Sequence, residues 1–103
     1  MDIVVEGQRE KIGELCRRHA VQRLALFGSA VRDDFDPERS DLDFLVEFTP
    51  AAAQDHADAY FGLLADLETL FGRRVDLVET AALRNPYRRR EIEATQVLLH
   101  VAA

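Results

Sequence analysis

The residues best suited to chemistry in this sequence are carboxylates. Asp41 and Asp43 stand two apart in a segment, Asp41 to Phe48, whose residues alternate in polarity. As a strand it puts Leu42, Phe44, Val46 and Phe48 on one face and Asp41, Asp43, Leu45 and Glu47 on the other. In a later alternating segment, Arg74 to Glu79, Val75 and Leu77 turn inward and Asp76 takes the opposite face. If these two strands are neighbours, the three carboxylates converge. Packed like charges repel, so such a group calls for a cation. Mg²⁺ is the natural one, because it prefers oxygen ligands and is often held by one or two carboxylates together with substrate phosphates. A D-x-D pair alone equally describes the solvated edge of a half-exposed strand.

A second signal precedes the first. Arg23 to Phe27 is a short apolar run closed by Gly28-Ser29. A strand ending in Gly-Ser offers unhindered backbone N–H groups and a hydroxyl to phosphate oxygens, although Gly28 alone could be an ordinary turn glycine. The joint order is more specific than either part: strand, Gly28-Ser29, then Ser40-Asp41-Leu42-Asp43, then a strand carrying Asp76.

The remaining segments supply the frame. Ile12, Leu15, Cys16 and His19 recur at helical spacing and predict an amphipathic helix from about Glu6 to Ala20. Thr49-Pro50 reads as an N-cap with proline at the first helical position. The helix it opens should turn Phe61, Leu64, Leu67 and Phe71 toward the core and stop at Gly72. Asn85-Pro86 repeats the cap-plus-proline signal and predicts a last helix reaching about Val101. The fold class expected is α+β, a small mixed β-sheet with helices packed on one face, leaving the carboxylates on the bare side.

Composition narrows the function classes. At 103 residues the chain is expected to form a single domain over 1–103. Three prolines, five glycines and 48% hydrophobic residues are the makeup of a globular domain rather than a disordered one. One cysteine, Cys16, allows no internal disulfide and no cysteine-built zinc site. The acidic start, Met1-Asp2, lacks the basic region of a signal peptide, and no apolar run nears the roughly 18 residues of a spanning helix. A cytoplasmic protein without membrane contact is expected. The formal net charge of −6 argues against binding long nucleic acid, where Lys and Arg neutralise phosphates. A single nucleotide needs only a local site and a metal ion.

The run Phe27-Gly28-Ser29-Ala30-Val31-Arg32, followed by Ser40-Asp41-Leu42-Asp43-Phe44-Leu45-Val46, resembles the signature of the polymerase-β-like nucleotidyltransferase superfamily. More closely it resembles the minimal nucleotidyltransferase (MNT-domain) family of bacteria and archaea. Arg74-Val75-Asp76-Leu77-Val78 is similar to the third acidic strand of that family, and the segment from Asn85-Pro86 to its closing helix. The resemblance spans about Arg23 to Leu99. It departs at one place: the family usually has glycine after the arginine matched by Arg32, and here Asp33 follows. That acid could weaken nucleotide affinity or point outward.

The resemblance implies transfer of a nucleoside monophosphate from a nucleoside triphosphate to an acceptor hydroxyl, with release of pyrophosphate. Two Mg²⁺ ions about 3.5–4 Å apart suit such an in-line displacement. Asp41 and Asp43 would hold the metals, and Asp76 would complete the acceptor-side site and could take the acceptor proton. Gly28 and Ser29 would cradle the β- and γ-phosphates, with Ser40 and Arg32 as further nucleotide-binding candidates. Arg32 is equally able to pair with Asp33 or Asp34. Proteins of this family that stand alone are typically antitoxins of a HEPN-type ribonuclease toxin, so the resemblance implies ATP as donor and a tyrosine of that toxin as acceptor. An alternative is a non-catalytic antitoxin that inhibits by occupancy. Transfer to a small molecule is disfavoured, because no acceptor-binding domain is expected.

Arg84, Arg88, Arg89 and Arg90 crowd seven positions of an acidic chain. They form either a solvated face, paired with Glu91 or Glu93, or an anion site, with an acidic partner surface preferred over nucleotide phosphates. Cys16 and His19 are expected in the core, His56 and His100 at the surface, and Tyr60 and Tyr87 in packing roles. Glu47 shares the aspartate face but lies too far along to be expected at the metal.

Overall fold

Apolar alternation in consecutive segments needs a sheet with two distinct faces, and that is what the chain builds. A computed structural model describes residues 3–32, 36 and 40–102. Asp33 and Asp34, and the chain start at Met1 and Asp2, lie outside the described residues. The order is α1 (Ile3–Glu6), α2 (Arg9–Arg18), β1 (Val21–Phe27), a 3₁₀ turn (Gly28–Val31), β2 (Leu42–Phe48), α3 (His56–Phe71), β3 (Val75–Glu79), α4 (Pro86–Thr95) and β4 (Val97–Val101). The strands lie in the order β3-β2-β1-β4. β1 pairs antiparallel with β2 and β4, while β2 and β3 are parallel, as their connection through α3 requires. The α+β class with a mixed sheet is therefore as expected.

One face carries the main core. Leu24, Leu26, Leu42, Phe44, Val46 and Leu77 project from the strands onto Ile12 and Cys16 of α2 and Leu63 and Leu67 of α3. Phe44 is fully buried and stacks on Phe71 with ring centroids 6.0 Å apart. Burial pushes the Cys16 thiol up to about 12, so it stays protonated and packs as a small apolar group. His19 fits over α3 because Gly62 has no side chain; a Cβ there would stand 2.7 Å from the imidazole. Its Nε2 then meets Asp66 Oδ2 at 2.6 Å, joined by Arg18 Nη1 at 3.2 Å.

Several expectations are corrected. The last helix ends at Thr95, and Val97–Val101 forms β4 instead of its final turns. The open edge of β1 pairs with Val97–Val101, and those ladder bonds outweigh helix continuation. Phe61 is 63% exposed, because the buried stripe of α3 runs through Leu63 and Leu67, out of phase with it. Thr49 makes no side-chain cap; Pro50–Ala53 is a 3₁₀ turn and the helix starts at His56. The first helix is interrupted between Glu6 and Arg9. Gly72 does end α3, in a left-handed conformation with its N–H on Glu68 O. His56 is exposed as expected, though its Nε2 lies 3.0 Å from Glu79, whereas His100 is half-buried with Nε2 enclosed. Tyr60 has a structural role, its hydroxyl donating to Leu77 O at 2.5 Å, whereas Tyr87 is exposed rather than packed.

The carboxylate face is not bare. Ile92 of α4 packs there against Phe27 and Leu45, flanked by Val78 and Leu83. The helices thus divide, with α2 and α3 on one face and α4 on the other.

Candidate active site

Strand register brings the acids together. β2 and β3 are neighbours, and Asp43 stands directly beside Asp76 in the parallel ladder. Asp41 lies just ahead of β2, where Leu42 N donates to Arg74 O at 3.1 Å. Asp41 and Asp76 are exposed and Asp43 is half-buried. Burial, then the charges of Asp76 and Asp41, push the Asp43 carboxyl up to about 6; Arg32 and Arg88 oppose the shift. The charges of Asp41 and Asp76 are thus felt at Asp43, but among the described residues the three carboxylates are not gathered about one point as expected.

The Gly-Ser turn is set over that carboxylate from the other side. Phe27, the last residue of β1, pairs with Asp43, so Gly28 follows directly above it. Gly28 has φ +74°, and a Cβ built there would collide with the Asp43 carboxylate. Glycine is required twice, by backbone conformation and by close approach. The turn is pinned by Ala30, buried in the main core, and by Arg32 N donating to Ser29 O at 3.1 Å.

The opposite wall is α4. Asn85 caps it, its Oδ1 accepting from the N–H groups of Tyr87 (2.9 Å) and Arg88 (3.3 Å), and Pro86 opens the first turn. With Ile92 holding the helix to the sheet, the stripe Arg88, Glu91, Ile92, Thr95 faces Phe27, Gly28, Arg32 and Asp43 across a cleft of about 260 Å³. That is slightly less than the roughly 300–1,000 Å³ of ordinary small-molecule sites, room for part of a nucleotide.

Gly28, Arg32 and Asp43 therefore line one cleft, whereas Ser29, Asp41 and Asp76 are not among its lining residues. Ser40 is occupied in the chain itself: its Oγ accepts from Asp36 N at 2.9 Å and its N–H donates to Asp36 O at 2.8 Å. Glu47 lies away from the cleft, in a groove with Glu79 and Arg89. Sequence reading had Arg88 only as an anion-site candidate and missed Glu91 and Thr95 as cleft residues; the spacing of three, then four, was the available signal. Of the clustered arginines, Arg88 lines the cleft, while Arg89 pairs with Glu93 at 3.1 Å, as the solvated-face reading allowed.

The donor set suits a hard cation: carboxylate oxygens, with no imidazole or thiol among the described residues that line the cleft. Like charges beside Asp43 supply the electrostatic reason for one. Among the described residues, no three acidic, imidazole or thiol side chains are already gathered about a single point.

The nucleotidyltransferase domain family matches residues 8–99. The chain belongs to that family. A Methanocaldococcus jannaschii protein named as a protein adenylyltransferase is 34% identical over 91 residues, covering 81% of this chain and 89% of its own length. A solved structure described as a minimal nucleotidyltransferase aligns with TM-score 0.72 and 36% identity, over 94% of this chain and 95% of that one. A solved complex of a tri-AMPylated Shewanella oneidensis HEPN toxin with an MNT antitoxin aligns with TM-score 0.60 at 19% identity, over 95% of this chain and 73% of that one. The last likeness is one of fold. Among the described residues of this nucleotidyltransferase, no helix is long and apolar enough to cross a membrane.

Proposed function

We propose that this nucleotidyltransferase transfers AMP from ATP, with Mg²⁺, to a hydroxyl on a partner protein, and that the partner is a HEPN-type toxin modified on tyrosine. The observation that carries the transfer reaction is Asp43, in register with Asp76 and directly under the turn at Gly28. Protein as acceptor is supported by the name of the M. jannaschii relative, and the toxin by the fold shared with the S. oneidensis complex.

In this reading Asp41, Asp43 and Asp76 hold the metal, and Gly28 and Ser29 present N–H groups and a hydroxyl to the β- and γ-phosphates. Arg32 neutralises the pyrophosphate, and Ser40 supports the loop that leads into Asp41. When bound, Mg²⁺ would lower the charge on the phosphates and stabilise the attacking and leaving oxygens. The acceptor oxygen bonds to the α-phosphorus, the α–β phosphoanhydride bond breaks, and pyrophosphate departs. Asp76 takes the acceptor proton.

The test is incubation with a HEPN-type protein and ATP labelled at either the α- or the γ-phosphate. Covalent label from the α-position alone, absent with Asp43→Asn, is expected. Label from the γ-position would mean a kinase. Neutralisation of the toxin by Asp43→Asn at wild-type strength would favour inhibition by occupancy.

A further inference from the structure

The four arginines around the start of α4 do not form one surface. Arg89 reaches one turn forward along the helix to Glu93, half-exposed. Arg88 is one residue earlier, about 100° round the helix, and lines the cleft opposite Gly28 and Arg32. Among the described residues its guanidinium has no ion-pair or hydrogen-bond partner, and its charge is felt at Asp43. Its place is also unfavourable in itself, because the N-terminal turn of a helix repels cations. A cation held there, beside a second arginine in a cleft of about 260 Å³, fits an anion shared between them.

We propose that Arg88 is a substrate-binding residue that grips the triphosphate chain of the nucleotide from the α4 side, opposite the Gly28–Arg32 turn. The inference rests on the nucleotidyltransferase reading of this cleft and adds a contact from a different element of the fold. Guanidinium forks are suited to two phosphate oxygens at once. Because α4 is held to the sheet by Ile92 among Phe27 and Leu45, the arginine is carried on a fixed wall. Arg88 would therefore favour nucleotides with a phosphate tail over those with a single phosphate.

The experiment is calorimetric titration of the full chain with ATP and with AMP, each with Mg²⁺. The proteins are wild type, Arg88→Ala, Arg88→Lys, Arg89→Ala and Asp43→Asn. A hydrogen bond to a charged group contributes about 1.5–3 kcal/mol, so Arg88→Ala should weaken ATP about 10- to 100-fold. AMP should change far less, Arg88→Lys should fall between, and Arg89→Ala should match wild type. If wild type binds Mg·ATP and Asp43→Asn does not, yet Arg88→Ala binds ATP like wild type, the inference alone is overturned. Equal weakening of ATP and AMP also overturns it. If wild type binds no ATP, or Asp43→Asn binds it unchanged, the reading of the cleft fails and the inference with it.

Discussion

The two faces of the sheet are built from the same strands and do opposite things. On the α2–α3 face, among the described residues, fourteen buried side chains form a continuous apolar layer. On the α4 face a cluster of three described residues, Phe27, Leu45 and Ile92, is buried together, and the adjoining strand ends carry Asp41, Asp43 and Asp76. Period-two alternation makes this division possible, since each residue inserted into the core places its neighbour on the other side. The first face holds the fold. The second can then carry crowded charge, with α4 fastened by a small apolar anchor.

The contrast is sharpest at Phe44, which is next to Asp43 in sequence and across the sheet from it. Phe44→Ala should cost about 3–5 kcal/mol of stability, a large part of the roughly 5–15 kcal/mol of an ordinary domain. Urea unfolding followed by circular dichroism checks this. A loss below 1 kcal/mol would mean that this face is not the stabilising one.

Asp41→Asn, Asp43→Asn and Asp76→Asn should do the reverse. Each should lower nucleotidyl transfer by about 100-fold or more, a few kcal/mol of transition-state stabilisation. Melting temperature should hold or rise, most clearly for Asp43→Asn, because its charge is already disfavoured by burial and by its neighbours. Melts and transfer assays on the same three preparations decide it. Full activity in the Asp43 variant would remove the functional half of the contrast.

A smaller effect belongs to the α2–α3 side. The hydrogen bond with His19, helped by Arg18, lowers the Asp66 carboxyl below the usual aspartate range. A lowered native value contributes stability that is complete above the unfolded value, about pH 4, and is lost as pH falls through the native one. Asp66 is about one-third exposed, so Asp66→Asn should cost about 0.5–1 kcal/mol at neutral pH. The gap from wild type should close below pH 4 in melts taken across that range.

What could be read from the sequence follows the same division. The alternation from Leu42 to Phe48 and from Val75 to Glu79 is a local pattern, and it places Asp43 and Asp76 on one face without knowledge of the fold. Gly28 is legible for a similar reason, though the collision that makes it obligatory depends on the register between Phe27 and Asp43. The failures concern choices made by distant partners. Val97–Val101 has residues that suit either helix or strand, and the open edge of β1 decides between them. Phe61 and Leu63 are both apolar, and only the position of α3 on the sheet buries the second. Arg88 and Arg89 are chemically identical neighbours. The anchoring of Ile92 on Phe27 and Leu45 sends one to the cleft and leaves the other with Glu93.

The charged face is proposed as a site for a nucleotide together with a metal, and the sharpest check is melting with ATP in the presence of Mg²⁺ or of EDTA. The carboxylates around Asp43 repel phosphates unless a cation lies between them. With ATP at about 100 times its dissociation constant, binding adds about 2.7 kcal/mol, a rise of roughly 10 °C or more for a domain of this size. That rise is expected with Mg²⁺ and none with EDTA. An equal rise in both would contradict it, because the nucleotide would then be held without the cation that the three aspartates require.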